Sequence, residues 1–164
     1  MTTPGTDITR ARIEADERVP MIHIYRDFAA TPAQLFRAHT DPDLFARWIG
    51  PAGMGVDIGY WDARDGGSWR YTAGHGEEST AFRGCFHTVS EERVVQTFSW
   101  EEMPDAVALE TLTLDEIGAG RTRLHATSLC GSFEARDGLL ASAMETGVND
   151  GYDAIDRMLE AGEL

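Results

Sequence analysis

Lysine is absent: all 14 basic residues of this 164-residue chain are arginines. Schiff-base chemistry, a lysine general base and a phosphate-loop lysine are therefore excluded together. Positive charge is scarce as well, since 28 acidic residues against 14 basic ones leave a formal net charge of −14. Such a surface repels phosphate backbones and anionic bilayers, so neither nucleic acid nor membrane is an expected partner. Cysteine is nearly missing. Cys85 and Cys130 stand alone, without a Cys-x-x-Cys pair, and read as reduced thiols of a cytosolic protein. His87 would share a strand face with Cys85, yet strand cysteines usually act as small hydrophobes. No apolar run approaches the ~18 residues of a membrane span. The first twenty residues carry charges in place of a secretory signal's apolar core. The expectation is a cytoplasmic protein with a flexible leader, 1–18, in which Ile8 to Ile13 could add an edge strand, ahead of one domain, 19–164.

The chain then reads as a strand, two short helices, a run of strands and a long helix. Residues 19–29 are strongly β-prone, with Ile22, Ile24 and Phe28 at even parity. Thr31-Pro32-Ala33-Gln34 combines a cap, a proline at the first helical position and a capping-box glutamine. Asp41-Pro42 repeats the device for a second helix, whose Leu44, Phe45, Trp48 and Ile49 form one apolar face and which Gly50-Pro51 ends. Strands follow over 56–63, 68–72, 80–90, 93–101, 106–116 and 121–129, joined by short glycine-containing turns. With the first they make about seven, in antiparallel order. The helix predicted over 137–161 carries Leu140, Met144, Val148, Tyr152, Ile155 and Leu159 at three- and four-residue steps. Gly147 and Gly151 beside that stripe imply either close backbone approach or empty volume over the sheet.

The expected ligand-cavity lining is Trp48, Trp69, Tyr71, Phe82, Phe86, Phe98, Trp100, Met144, Val148 and Tyr152, an apolar set suited to a small hydrophobic or aromatic guest. Arg70, Arg83 and Arg123 are candidate polar anchors if they point inward. Pointing outward, they would pair with the abundant acids. Asp62 and Asp65 flank a glycine turn and organise backbone there. The histidines at 23, 39, 75, 87 and 125 show no metal-site spacing. Neither a metal, a cofactor nor a nucleophile–base–acid set is indicated.

Several segments carry a family resemblance: Phe36-Arg37-Ala38-His39-Thr40-Asp41-Pro42, Trp48-Ile49-Gly50-Pro51, Asp62-Ala63-Arg64-Asp65-Gly66-Gly67-Ser68-Trp69, Phe82-Arg83-Gly84-Cys85-Phe86, Glu91-Glu92-Arg93-Val94-Val95-Gln96-Thr97-Phe98-Ser99-Trp100, and the closing helix from Met144. The chain resembles, over residues 20–162, the bacterial homologues of the activator of heat-shock protein 90 ATPase, within the START-like, SRPBCC superfamily. The resemblance implies an α+β helix-grip (Bet v-like) fold, a curved antiparallel sheet wrapped around the C-terminal helix with a cavity between them. It also implies binding of lipids, sterols or aromatic compounds, and in some relatives cyclisation or dehydration. Family members often carry tryptophan in the middle of the last helix, where this chain places Val148, which leaves ligand size open. Ligand binding is thus the first functional expectation, and a cyclase- or dehydratase-type enzyme in the same cavity the second. A chaperone-cofactor role through the surface is the third. The eukaryotic activator makes chaperone contact through an added N-terminal domain that a leader of 18 residues is too short to supply. Exposed edge strands would allow a homodimer.

Overall fold

The computed structural model describes residues 7–164. Residues 1–6 of the expected leader lie outside the described residues. The rest of that leader holds a short strand, β1 (Arg12–Ala15), paired antiparallel with β2 (Met21–Phe28). Asp16 makes the join, its Oδ1 accepting from the N–H groups of Arg18 and Val19. A four-residue, charged strand suits a sheet edge. The sheet thus has eight strands rather than about seven.

Two short helices follow. In α1 (Pro32–Thr40), Thr31 Oγ1 accepts from the Gln34 N–H at 3.2 Å while Gln34 Oε1 accepts from the Thr31 N–H at 2.9 Å, closing the capping box. Asp41 ends α1 and caps α2 (Pro42–Trp48), accepting from the N–H groups of Asp43 and Leu44. The chain then runs as a meander of six strands. These are β3 (Val56–Trp61), β4 (Ser68–Ala73), β5 (Thr80–Val89), β6 (Arg93–Trp100), β7 (Val107–Gly118) and β8 (Arg121–Leu129). Every pairing is antiparallel, in the order β1-β2-β8-β7-β6-β5-β4-β3.

The closing segment differs from the single helix expected over 137–161. It is two helices, α3 (Phe133–Ala141) and α4 (Met144–Glu160). Ser142 terminates α3, its N–H and its hydroxyl both donating to the Leu139 carbonyl, and Ala143 turns the chain at φ +61. That side-chain competition for a helical carbonyl is local chemistry that hydrophobic periodicity does not register. Helix α3 also begins earlier, because Ser132 caps it by accepting from the Ala135 N–H.

Helix α4 lies in the curve of the sheet. Tyr152, Ile155 and Met158 pack with Phe28, Leu114 and Leu124 in one core cluster, to which α1 adds Leu35 and α2 adds Leu44 and Trp48. A second cluster, Trp69, Tyr71, Ala73, Phe86 and Val94, occupies the same sheet face toward β3. Phe36, Phe45, Ile49 and Leu112 join the two. The glycines of α4 have a packing explanation. A Cβ on Gly151 would stand 2.8 Å from the Trp48 carbonyl oxygen, so α2 and α4 touch backbone to backbone there. Gly147 faces the Pro51 ring at an ordinary 3.6 Å. Close approach, rather than empty volume, accounts for Gly151.

Candidate functional site

Antiparallel pairing places directly opposed residues on one face, so register identifies what the sheet presents to α4. One row crosses four strands: Phe86 opposes Gln96, Gln96 opposes Glu110, and Glu110 opposes Ser128. Neighbouring rows are apolar, with Val94, Leu112 and Ala126 on one side and Phe98 with Ala108 on the other. A carboxyl group therefore sits at the centre of the sheet, on its helix-facing side, among aliphatic and aromatic neighbours.

Glu110 is held by uncharged partners. The Gln96 amide donates to its Oε2 at 3.0 Å, and the Ser128 hydroxyl lies 3.4 Å from its Oε1. No cation pairs with it among the described residues. Burial pushes its pKa up, against the pull of these two contacts. The phenols of Tyr71 and Tyr152 are also pushed up, first by burial and then by the charge of Glu110, so β4 and α4 bring both rings close to this carboxyl. Glu110 lies deep, surrounded by protein atoms, and yet stays half-buried by surface area. Gln96, Phe98, Leu112, Met144 and Val148 share that partial exposure. These positions on the facing surfaces of the sheet and the first half of α4 thus keep some surface uncovered.

The expected lining divides. Trp48, Trp69, Tyr71, Phe86 and Tyr152 are buried core. Trp69 stacks with Tyr71 at 5.6 Å and covers Gly84, where a Cβ would meet its ring at 2.6 Å. Trp48 donates its indole N–H to the Ala38 carbonyl and faces α4. Phe82, Phe98, Met144 and Val148 are half-buried. Trp100 lies at the rim, exposed, its indole donating to Thr80 Oγ1. The aromatic layer also includes Phe45, from the apolar face of α2, and Trp61, which the sequence pattern did not single out. They meet at 4.8 Å, and the Trp61 indole donates to the Thr40 carbonyl, pinning the α1–α2 elbow to β3.

The candidate anchors lie on the other face. Arg70 alternates with Trp69 and Tyr71, and Arg123 with Thr122 and Leu124, so both point away from α4. Arg70 forms a two-point pair with Glu101 (2.7 and 3.0 Å), and Arg123 one with Asp27 (2.7 and 2.9 Å). Arg83 opposes Arg70 across the β4–β5 pair and is exposed. All three thus lie on the sheet face away from α4. The inward polar groups of this row are Gln96, Glu110 and Ser128, and the signal for the first two was a polar residue at an inward parity position, between Val94 and Phe98 and between Ala108 and Leu112.

Two hollows open on the exterior. One, of about 370 Å³, is lined by Glu14, Asp16, His23 and Tyr25 among others. Beside it His23 bridges Asp16 and His125 at 3.0 Å on either side, and Tyr25 stacks on His125 at 4.3 Å. Asp16, held down to about 2 by the Arg18 N–H, His23 and the Val19 N–H, is engaged in the β1–β2 turn, so the group clasps three strands. The other, of about 340 Å³, involves Arg47, Arg157, Met158 and Glu163. Cys85 and His87 are both exposed, and the imidazole bonds Thr88 Oγ1 rather than the thiol. Among the described residues, no helix is long and apolar enough to cross a membrane.

The family model described as Activator of Hsp90 ATPase homolog 1-like protein matches residues 29–160. Among solved structures, a protein of Rhodobacter sphaeroides is similar at 27% identity over 93% of this chain and 99% of its own, with a TM-score of 0.81. Protein Ms6760 of Mycobacterium smegmatis is similar at 21% identity over 90% of this chain and 95% of its own, also with a TM-score of 0.81. The AHSA1 protein of Silicibacter pomeroyi shares 20% identity over 87% of this chain and 99% of its own, with a TM-score of 0.69. Among curated proteins, none matches the chain significantly.

Proposed function

The chain belongs to the Activator of Hsp90 ATPase homolog 1-like family, and from that premise we propose that it binds a small hydrophobic or aromatic molecule in the cleft between the sheet and α4. The observation that carries this reading is the partial exposure of Phe82, Phe98, Leu112, Met144 and Val148 on the inner surfaces of the grip. Elsewhere that interface is closed, with Ile22, Phe28, Leu124 and Ile155 at 0–1% exposure. Apolar surface left open inside a fold is what a ligand of matching character would cover. A fold whose outward Arg70 and Arg123 are already paired with acids, and whose inward groups are mostly apolar, favours an uncharged guest.

Val148 supplies the test, since it holds the position where relatives carry tryptophan. Apolar compounds should raise the melting temperature of the native protein saturably, as linkage requires. Val148→Trp should fill the cleft, leave the protein folded and about 0.5–2 kcal/mol more stable, and remove the ligand-induced shift. A broad aromatic and lipid panel without effect on the native protein would overturn the reading, and so would a shift that survives Val148→Trp.

A further inference from the structure

Most polar groups on the inner surface are spoken for. Arg26, a buried cation of that face, lies two cross-strand rows from Glu110; its terminal nitrogens are engaged by Asp156 and the Asp27 carbonyl, and its Nε has no partner among the described residues. Asn149 holds the Glu145 carbonyl and the Ala11 N–H. Thr122 donates to the Ala30 carbonyl. Glu110 is different. Gln96 donates to its Oε2 at 3.0 Å and the Ser128 hydroxyl to its Oε1 at 3.4 Å, so neither partner accepts a proton from the carboxyl. The Ser128 separation is long for an O–H···O bond, which prefers about 2.7–2.8 Å. In its protonated form such a carboxyl has no acceptor in these two partners, and so a hydrogen bond left to give.

We propose that Glu110 is the polar anchor of the cleft, a neutral carboxylic acid that donates its O–H to a carbonyl oxygen of an uncharged, apolar guest. The inference rests on the cleft being the binding site and adds the chemical class of its ligand. Desolvation raises the pKa of this carboxyl and so favours its neutral form, with no cation paired to its anion among the described residues. The same setting selects against a carboxylate guest. A buried negative charge there would meet Tyr71, Tyr152, Gln96 and Ser128, while Arg26, whose charge reaches Tyr152, is already paired with Asp156, and an uncompensated buried charge is costly. A ketone, aldehyde or ester presents the acceptor without the charge.

Three naphthalenes of one shape test this directly: 2-acetylnaphthalene, 2-isopropenylnaphthalene and 2-naphthoate. Titrated into the native protein, the ketone should bind roughly three- to tenfold more tightly than the alkene, the worth of one hydrogen bond, and naphthoate more weakly than either. Glu110→Leu should bring ketone and alkene to equal affinity, while Glu110→Gln, which retains a donor, should preserve most of the ketone's advantage. Equal binding of ketone and alkene by the native protein would overturn the anchor and leave the cleft standing. A preference that persists in Glu110→Leu, or naphthoate binding as tightly as the ketone, would overturn it too. Binding of none of the three would remove the cleft and the anchor together. An infrared spectrum is independent of any guest: the native protein at pH 7 should show a neutral carboxylic acid carbonyl band that Glu110→Gln lacks. Its absence would refute the assignment even if Glu110→Leu failed to fold.

Discussion

At His39 the fold decides a protonation state. Burial, with the ring 4.7 Å from Trp48, pushes the imidazole down to about 4, while its Nδ1–H donates to the Leu35 carbonyl at 2.7 Å. A depressed pKa means that the unfolded chain binds the proton first, so this stabilisation is complete above about pH 6.5 and is lost as pH falls toward about 4. Glu110 has the opposite sign. Its raised pKa gives stabilisation that is complete below about 4.5 and is lost as pH rises through the folded-state value. In urea titrations across pH, His39→Gln should flatten the acid limb, reducing the pH-dependent loss by at most about 3 kcal/mol. Glu110→Gln should flatten the slope on the side of rising pH. An unchanged acid limb in His39→Gln would mean that the imidazole titrates normally.

Single residues were legible where local chemistry acts alone. The Thr31–Gln34 box and the Asp41 cap formed as their side chains dictate. The arginines were legible in kind but not in direction, because only the register against Trp69 and Leu124 shows which way Arg70 and Arg123 point. Glu110 was hidden by chemistry that looks ordinary in a row of letters. A glutamate among 28 acidic residues draws no notice until its strand parity is set by Ala108, Leu112 and Leu114.

At the scale of elements, the contact of α2 with α4 is the joint that sets where the closing helix lies. Gly151→Ala would drive a Cβ to 2.8 Å from the Trp48 carbonyl, a backbone atom that moves only with its helix. Overpacking of this kind costs about 1–3 kcal/mol, partly offset by about 1 kcal/mol of helix propensity. The net expectation is a loss of stability in denaturant unfolding. Gly147→Ala meets the Pro51 ring at 3.6 Å and keeps only the propensity gain, so it should stabilise by up to about 1 kcal/mol. If both substitutions behaved alike, the backbone contact at Gly151 would carry no weight. Element order was readable because turns and caps punctuate the strands, whereas the break at Ser142–Ala143 was not. A serine that bonds back to Leu139 and an alanine at φ +61 leave the apolar period through Met144 and Val148 intact.

At the scale of the whole molecule, charge and fold pull against each other. Folding gathers a net −14 into one compact body, and such self-repulsion opposes the compact state. The arginines soften it locally, in pairs such as Arg123 with Asp27 and Arg70 with Glu101. Several others, including Arg12 with Glu14 and Arg64 with Asp62, stand in solvent, where a pair is worth about 0–1 kcal/mol. Salt weakens both effects, but the surplus acids outnumber what these exposed pairs can offset. The Debye length shrinks from about 30 Å at 0.01 M to about 10 Å at 0.1 M, which removes repulsion across the molecule before it reaches contacts of about 3 Å. Sodium chloride raised over that range should therefore stabilise the protein by about 1 kcal/mol, or roughly 2–4 °C in melting temperature. A fall in melting temperature over the same range would show that the arginine pairs, rather than the apolar grip on α4, hold the sheet in its curve.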